Sequence, residues 1–288
     1  SPNAAVLYSK LIGKGLDHPS AVRFITSLCA LGGSAVAIYQ LGHPLSMMFV
    51  VSLAILFAGI TLAPAIRDMK ENVEMHQRPS IWRTTIDNVS MNYALAKARG
   101  ALASRSGARL VATVNALAVM EAEKNDKYAN ALDGSFLTLA DGAGLVWALK
   151  LLGTPVQERV TGIDYMTGLA RMAAAEGWPV YLLGSKPSIV EKAAFELQRR
   201  FPDLTFAGFR DGYFDEGDVS VIDEIRESGA KILFVAMGIP KQEIWVTENA
   251  ERLGDLLAVG VGGAFDVVSG TLKRAPELLQ KIGLEWFY

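Results

Sequence analysis

The sequence predicts an α/β domain, a parallel sheet with flanking helices, preceded by an N-terminal transmembrane helical hairpin. Three observations carry this. From residue 109 onward, short apolar runs alternate with helix-patterned stretches of about 10–15 residues, as in repeated βαβ units. Upstream, no Asp, Glu, Lys or Arg occurs between Phe24 and Ile66. The apolar runs end in glycine and polar residues, at the edge where open α/β sheets bind ligands.

Residues 1–23 form an N-terminal segment carrying Lys10, Lys14 and Arg23. Residues 24–66 hold two apolar segments, Phe24–Leu41 and Leu45–Ile66, each near the roughly 20 residues that cross a hydrocarbon core. Gln40 to Pro44 supplies a turn between them. Small residues four apart, such as Ala30/Ser34 and Ala54/Ala58, let two helices approach closely. The run is too long for a signal peptide and lacks its cleavage pattern. A helical pair buried in a soluble core is the alternative. Arg67, Lys70 and Arg78 follow the run, and its turn has no Lys or Arg. The positive-inside rule then places both ends, and the domain beyond, on the cytoplasmic face of the inner membrane.

Residues 67–80 are polar and unpatterned and read as a linker; 81–288 form the domain. Ser90 caps a helix running to about Ala103. Then follow strand 109–114, helix 115–125, strand 136–140, helix 143–152, helix 163–176, strand 178–183 and helix 187–200. Strand 204–208, helix 219–228, strand 232–236, helix 240–252 and strand 256–261 complete the order. The net charge of −2 gives no electrostatic footprint for nucleic acid. The single cysteine, Cys29, lies in the apolar run, which excludes a disulfide framework and fits a reducing compartment.

The strand ends carry the candidate chemistry. Strand 232–236 stops at Met237-Gly238, and Pro240 takes a favoured first-turn position. Lys241, Gln242 and Glu243 then crowd one helical turn, as a polar site or as solvated caps. Other strands run into Thr113 and Asn115, into Asp141-Gly142, into Gly184-Ser185, and into Gly260 through Gly262, Gly263, Phe265 and Asp266. Glycine lets backbone N–H groups approach a ligand, and helix N-termini attract anions. Together these turns suggest a nucleotide diphosphate; singly, each glycine also fits close helix–sheet packing. Neither GxGxxG nor GxxxxGK[ST] is present.

All three histidines (His18, His43, His76) precede the domain, which also lacks cysteine. A His-based triad, a Cys nucleophile and a His/Cys zinc site are therefore unavailable there. A general base near neutral pH must be a carboxylate or something rarer. Asp141 is the candidate, with helix N-capping the competing role. No Asp-x-Asp pair offers a carboxylate clamp for a metal–diphosphate. Arg159 and Lys241 supply cations for phosphate instead.

With these pieces in order, the chain resembles the WecG/TagA/CpsF family, the family 26 glycosyltransferases, from about Ile86 to Tyr288. The resemblance rests on TVNA (113–116), LADGAGLVWALKLLG (139–153), ERVTGIDYM (158–166), YLLGS (181–185), FPDLTFAGFRDGYF (201–214), MGIPKQE (237–243), GVGGAFDVVSG (260–270), KRAP (273–276) and GLEWFY (283–288). It implies a Rossmann-like, membrane-associated enzyme. Such an enzyme moves a sugar from a UDP-sugar to a polyprenyl-diphosphate-linked saccharide, with inversion and without a metal or other cofactor. Asp141 matches the family's catalytic base, Thr113 and Asn115 its donor-sugar contacts, and Gln242 with the GVGGAFD loop the rest of the donor pocket. Relatives usually continue past this point into a basic tail, and many lack the apolar hairpin.

The expected function is therefore a hexosyl transfer at the cytoplasmic membrane face, in exopolysaccharide or cell-wall glycan synthesis. The hairpin leans the reading toward β-glucosyl transfer. N-acetylmannosaminyl and N-acetylmannosaminuronic acid transfer are the alternatives within the family, and a membrane-anchored nucleotide-binding protein without turnover is the alternative outside it. The partners are the UDP-sugar, the lipid-linked acceptor and the bilayer, without nucleic acid; homo-oligomerisation stays open.

Overall fold

The computed structural model describes residues 78–104, 107–215 and 217–273, all within the second of the two units into which the chain divides, 78–288. The expected transmembrane hairpin at 24–66, most of the 67–80 linker and the 274–288 end lie outside the described residues. Among the described residues no helix is long and apolar enough to cross a membrane.

Six apolar runs form one sheet. They are β3 (Arg109–Val114), β4 (Leu137–Ala140), β5 (Val180–Gly184), β6 (Phe206–Arg210), β7 (Ile232–Ala236) and β8 (Leu257–Gly260). Their order is β4-β3-β8-β7-β5-β6, and every pairing is parallel. A parallel sheet must be covered on both faces, so its strands read as continuous apolar runs rather than alternating ones. One face, with Val111, Leu139, Leu182, Phe234 and Val259, packs against α1 (Met91–Ala103), α5 (Gly162–Glu176), α6 (Pro187–Arg200) and α10 (Ala264–Val268). The other carries Leu110, Leu183, Leu233 and Val235 under α7 (Val219–Glu227), α8 (Lys241–Glu248) and α9 (Ala250–Leu253). Toward the β4 edge that face continues as Ala112, Val114 and Ala140 under α2 (Ala116–Ala122), α3 (Asp126–Asp133) and α4 (Ala143–Leu151). Each such buried Val, Leu or Phe contributes roughly 1.5–3 kcal/mol.

The local signals act as expected at most boundaries. Ser90 caps α1 by accepting from Tyr93 N, and Pro187 opens α6. Three features differ from expectation. A two-strand hairpin, β1 (Ser80–Ile81) with β2 (Thr84–Thr85), starts inside the stretch read as linker. Arg83 fastens it, donating its backbone N–H to Glu123 at 2.9 Å and pairing with Asp126 at 2.7 Å. Helix α3 is present where none was expected. The expected helix 240–252 breaks at Asn249, whose Nδ2 donates to the Trp245 carbonyl and so competes with the helix ladder.

The connections decide where a ligand can enter. β5 connects to β6 on one side and β7 to β8 on the other, although β5 and β7 are neighbours. α6 leaves β5 on one face, and α8 leaves β7 on the opposite face. A crevice opens at such a reversal point in an open α/β sheet. The two strands meet there so closely that a Cβ on Gly184 would lie 2.4 Å from the Ala236 carbonyl oxygen, at φ +117°. We expect Gly184→Ala to destabilise the domain by on the order of 3 kcal/mol, from overpacking plus backbone strain. Gly100→Ala, inside α1 with nothing within 4 Å of its Cβ direction, is expected to stabilise it by about 0.5–1 kcal/mol. Denaturant midpoints compare the two; equal midpoints would remove the steric reading of Gly184.

Candidate active site

Two groups of side chains meet at the carboxyl edge of the sheet. The first is built on β3 and β4. Asp141 follows β4 directly, and its N–H donates to the Val114 carbonyl at 2.9 Å. The Val160 N–H donates to the Ala140 carbonyl at 2.9 Å, which lays the segment carrying half-buried Arg159 against the end of β4. A Cβ at Gly162, the first residue of α5, would come 3.1 Å from Thr113 Oγ1 and 3.5 Å from Asp141 Oδ2. The Asp141 carboxylate thus sits beside the amino end of a 15-residue helix, where negative charge is favoured. Asp141 does not cap α4: Gly142 holds that position without a side-chain bond. The carboxylate is half-buried, so it faces both the protein and the open edge.

Thr113 and Asn115 frame it. The Thr113 hydroxyl donates to the Gly260 carbonyl at 2.7 Å, tying β3 to the end of β8. Asn115 caps α2, its Oδ1 accepting from Ala118 N at 3.1 Å. The cap uses only the side-chain carbonyl, which leaves the amide NH2 as a donor for other partners. Gly142 lies so near that a Cβ there would stand 2.9 Å from Asn115 Cβ.

The second group lines a cleft of about 360 Å³ at the β5/β7 reversal point. Ser185, Lys186, Tyr213, Lys241, Trp245 and Asp266 contribute to its wall. Lys186 stands at the amino end of α6, so two lysines, Lys186 and Lys241, share one cavity. Paired cations suit a bound phosphate. Phe214 meets Trp245 edge-on, with ring centroids 6.0 Å apart, and the Tyr213 side chain is exposed at the mouth.

Of the expected site residues, the structure brings Thr113, Asp141 and Asn115 into one cluster, and Ser185, Lys241 and Asp266 into the cleft. Gly184 serves the close approach of two strands. Gly262 and Gly263 form the open turn after β8, with nothing within 4 Å of either Cβ direction. Three residues depart from expectation. Phe265 is fully buried in the core, so its side chain packs and lines nothing. Gln242 and Glu243 point inward from α8, at 1% and 0% exposure, instead of joining Lys241 at the surface. Lys186, Tyr213, Phe214 and Trp245 belong to the cleft without having been singled out in the sequence.

Residues 79–288 match the Glycosyl transferase WecG/TagA/CpsF family. The chain belongs to this family. Among its relatives is the N-acetylglucosaminyldiphosphoundecaprenol N-acetyl-beta-D-mannosaminyltransferase of Staphylococcus aureus, 32% identical over 203 residues, 70% of this chain and 80% of the relative. The protein of the same name from Bacillus spizizenii is 35% identical over 178 residues, 62% of this chain and 69% of that one. The WecG/TagA/CpsF match thus spans every strand of the sheet and both residue groups.

In this family member Glu243 is the most perturbed carboxyl group among the described residues. Burial pushes its pKa up to about 7 from an ordinary 4.5, against the opposing hydrogen bond from Gln242. The folded chain then holds this proton more tightly than the unfolded chain does. The associated stability is fully present below pH 4.5 and is lost as pH rises through about 7. The full effect is roughly 3 kcal/mol. We expect the melting temperature to fall between about pH 5 and pH 8 in the wild-type chain, and to fall less in Glu243→Gln. Parallel curves for the two proteins would show that Glu243 does not carry the slope.

Proposed function

We propose that this chain transfers an N-acetylmannosaminyl group from a UDP-linked donor to an N-acetylglucosaminyl-diphosphate-polyprenol acceptor, with inversion and without a metal. The observation that carries the reading is the half-buried Asp141 carboxylate, beside Thr113 and at the same sheet edge as a lysine-bearing cleft, in a chain of this family. The names of two relatives favour N-acetylmannosamine over the glucose toward which the hairpin leaned; an apolar anchor carries no information about the sugar.

In the proposed reaction the acceptor hydroxyl oxygen attacks the anomeric carbon as Asp141 takes its proton. The new C–O bond forms while the bond from that carbon to the diphosphate oxygen breaks, and UDP leaves with the electron pair. Lys186 and Lys241 meet the charge developing on the diphosphate. Tyr213 offers a flat apolar surface to the base. Thr113, Asn115 and the Gly262–Gly263 turn border the sugar between the two groups. The apolar run 24–66 holds the domain at the cytoplasmic face of the membrane, where the lipid-linked acceptor resides.

Four measurements test this. Asp141→Asn preserves shape and removes basicity; turnover is expected to fall by roughly 10²–10⁴-fold with UDP affinity nearly unchanged. Near-normal turnover would move the base elsewhere. Among the described residues no three His, Cys, Asp or Glu side chains gather where an ion could bind, and activity is expected to survive excess EDTA. Loss restored by Mg²⁺ or Mn²⁺ would contradict the metal-free route. Offered a panel of UDP-sugars with a short-chain acceptor, the full chain is expected to release UDP fastest from UDP-N-acetylmannosamine; faster release from UDP-glucose would reinstate the other sugar. Alkaline carbonate is expected to leave the full chain in the membrane fraction, and its release would exclude an inserted hairpin.

A further inference from the structure

Glu243 and Gln242 form a chain of hydrogen bonds whose polarity is forced. The Gly262 backbone N–H can only donate, and it donates to Gln242 Oε1 at 3.1 Å. The Gln242 amide nitrogen must then face the other way, where it donates to Glu243 Oε1 at 2.8 Å. Glu243 must therefore present an acceptor. A flipped Gln242 would set its NH2 against the Gly262 N–H, donor against donor.

The pair is also fixed in space. A Cβ at Gly260 would lie 2.8 Å from Gln242 Nε2 and 2.9 Å from Glu243 Oε1, so both side chains lie directly on the β8 backbone where it leaves the sheet. On the opposite side the Thr113 hydroxyl holds the Gly260 carbonyl. The turn beyond, Gly262–Gly263, has open space in both Cβ directions, and it leads into the short α10 that carries Asp266 into the cleft. Behind Glu243, its Oε2 and the Tyr128 hydroxyl are buried without hydrogen-bond partners among the described residues, and burial, followed by the Glu243 carboxylate, raises the Tyr128 pKa. The proton-bearing oxygen thus faces the interior, while Oε1 accepts in either protonation state.

We propose that Glu243 touches no substrate and is a positioning residue, which orients the Gln242 amide so that it latches Gly262 and fixes the glycine turn and Asp266 for the donor. The inference rests on the proposed donor site. It predicts a dependence on reach and acceptor character rather than on charge. Glu243→Gln keeps both. Glu243→Asp keeps the carboxyl group but falls one methylene short of Gln242, and Glu243→Met removes the acceptor, so the latch can be broken in two independent ways.

The test uses the full-length chain, with hydrogen exchange at the Gly262 amide and calorimetric titration with UDP. In Glu243→Asp, or in Glu243→Met should the aspartate variant fail to fold, Gly262 exchange is expected to accelerate and UDP affinity to fall, each about tenfold, the scale of one lost buried hydrogen bond. KM for the donor should rise more than kcat falls. Glu243→Gln is expected to restore protection and affinity to within about threefold of wild type. Unchanged Gly262 protection in the latch-breaking variant, or equal damage from Glu243→Gln, would overturn the proposal. Lost protection with unchanged UDP affinity would also overturn it, and would locate the error in the donor site rather than in the latch.

Discussion

Helices cover both faces of the six-stranded sheet, and this double burial drives most polar side chains to the strand ends. Inside, backbone groups are satisfied strand to strand, and side chains other than Thr138 and the Tyr181 hydroxyl are apolar because no water reaches them. At the carboxyl edge the strands stop at different heights and their loops leave to opposite faces. The Thr113 hydroxyl and the Gln242–Glu243 pair grip the end of β8 from two sides. Without the rigid apolar layers behind them, neither grip would have a fixed frame. The site is thus a consequence of how the sheet ends rather than an addition to it.

Much of the fold was legible because strand burial is written as uninterrupted apolar runs. Strands 109–114 and 232–236 fall where those runs lie, and the remaining four shift by one or two residues. The hidden parts have specific causes. Helix α3 buries Tyr128, Ala129, Ala131 and Leu132 among Asp, Lys and Asn residues, so its apolar face is too small to stand out; the Asn125 cap was the available signal. The break at Asn249 depends on one side-chain amide competing with the helix ladder. The hairpin at Ser80–Thr85 owes its place to long-range contacts of Arg83, which no local pattern announces.

The site shows the same division. The place of Asp141 was legible because it directly follows an uninterrupted apolar run, and the structure has it at the end of β4. The directions of Gln242 and Glu243 were not legible. Three successive polar residues on a first turn point around the helix axis at about 100° intervals, and only the neighbours decide which side is inside. Here β8 and α3 enclose two of them and leave Lys241 to the cleft. Lys186, Tyr213 and Trp245 were missed because each looks ordinary in its own segment; three separate loops and helices bring them together.

The reversal of strand order between β5 and β7 separates two kinds of change open to this scaffold. The wall of the cleft is supplied largely by the loops after β5 and β6 and by the start of α8. Substitutions there alter shape and charge at the cleft while the strands behind remain paired. Thr113, Asn115 and Asp141 are different: each is held by a strand, a cap or a glycine approach of about 3 Å. One half of this sheet edge can therefore drift by small steps in descendants of this sequence, whereas the other half must be inherited whole. Diversification of the molecule is biased toward new donors and new partners under an unchanged chemical step.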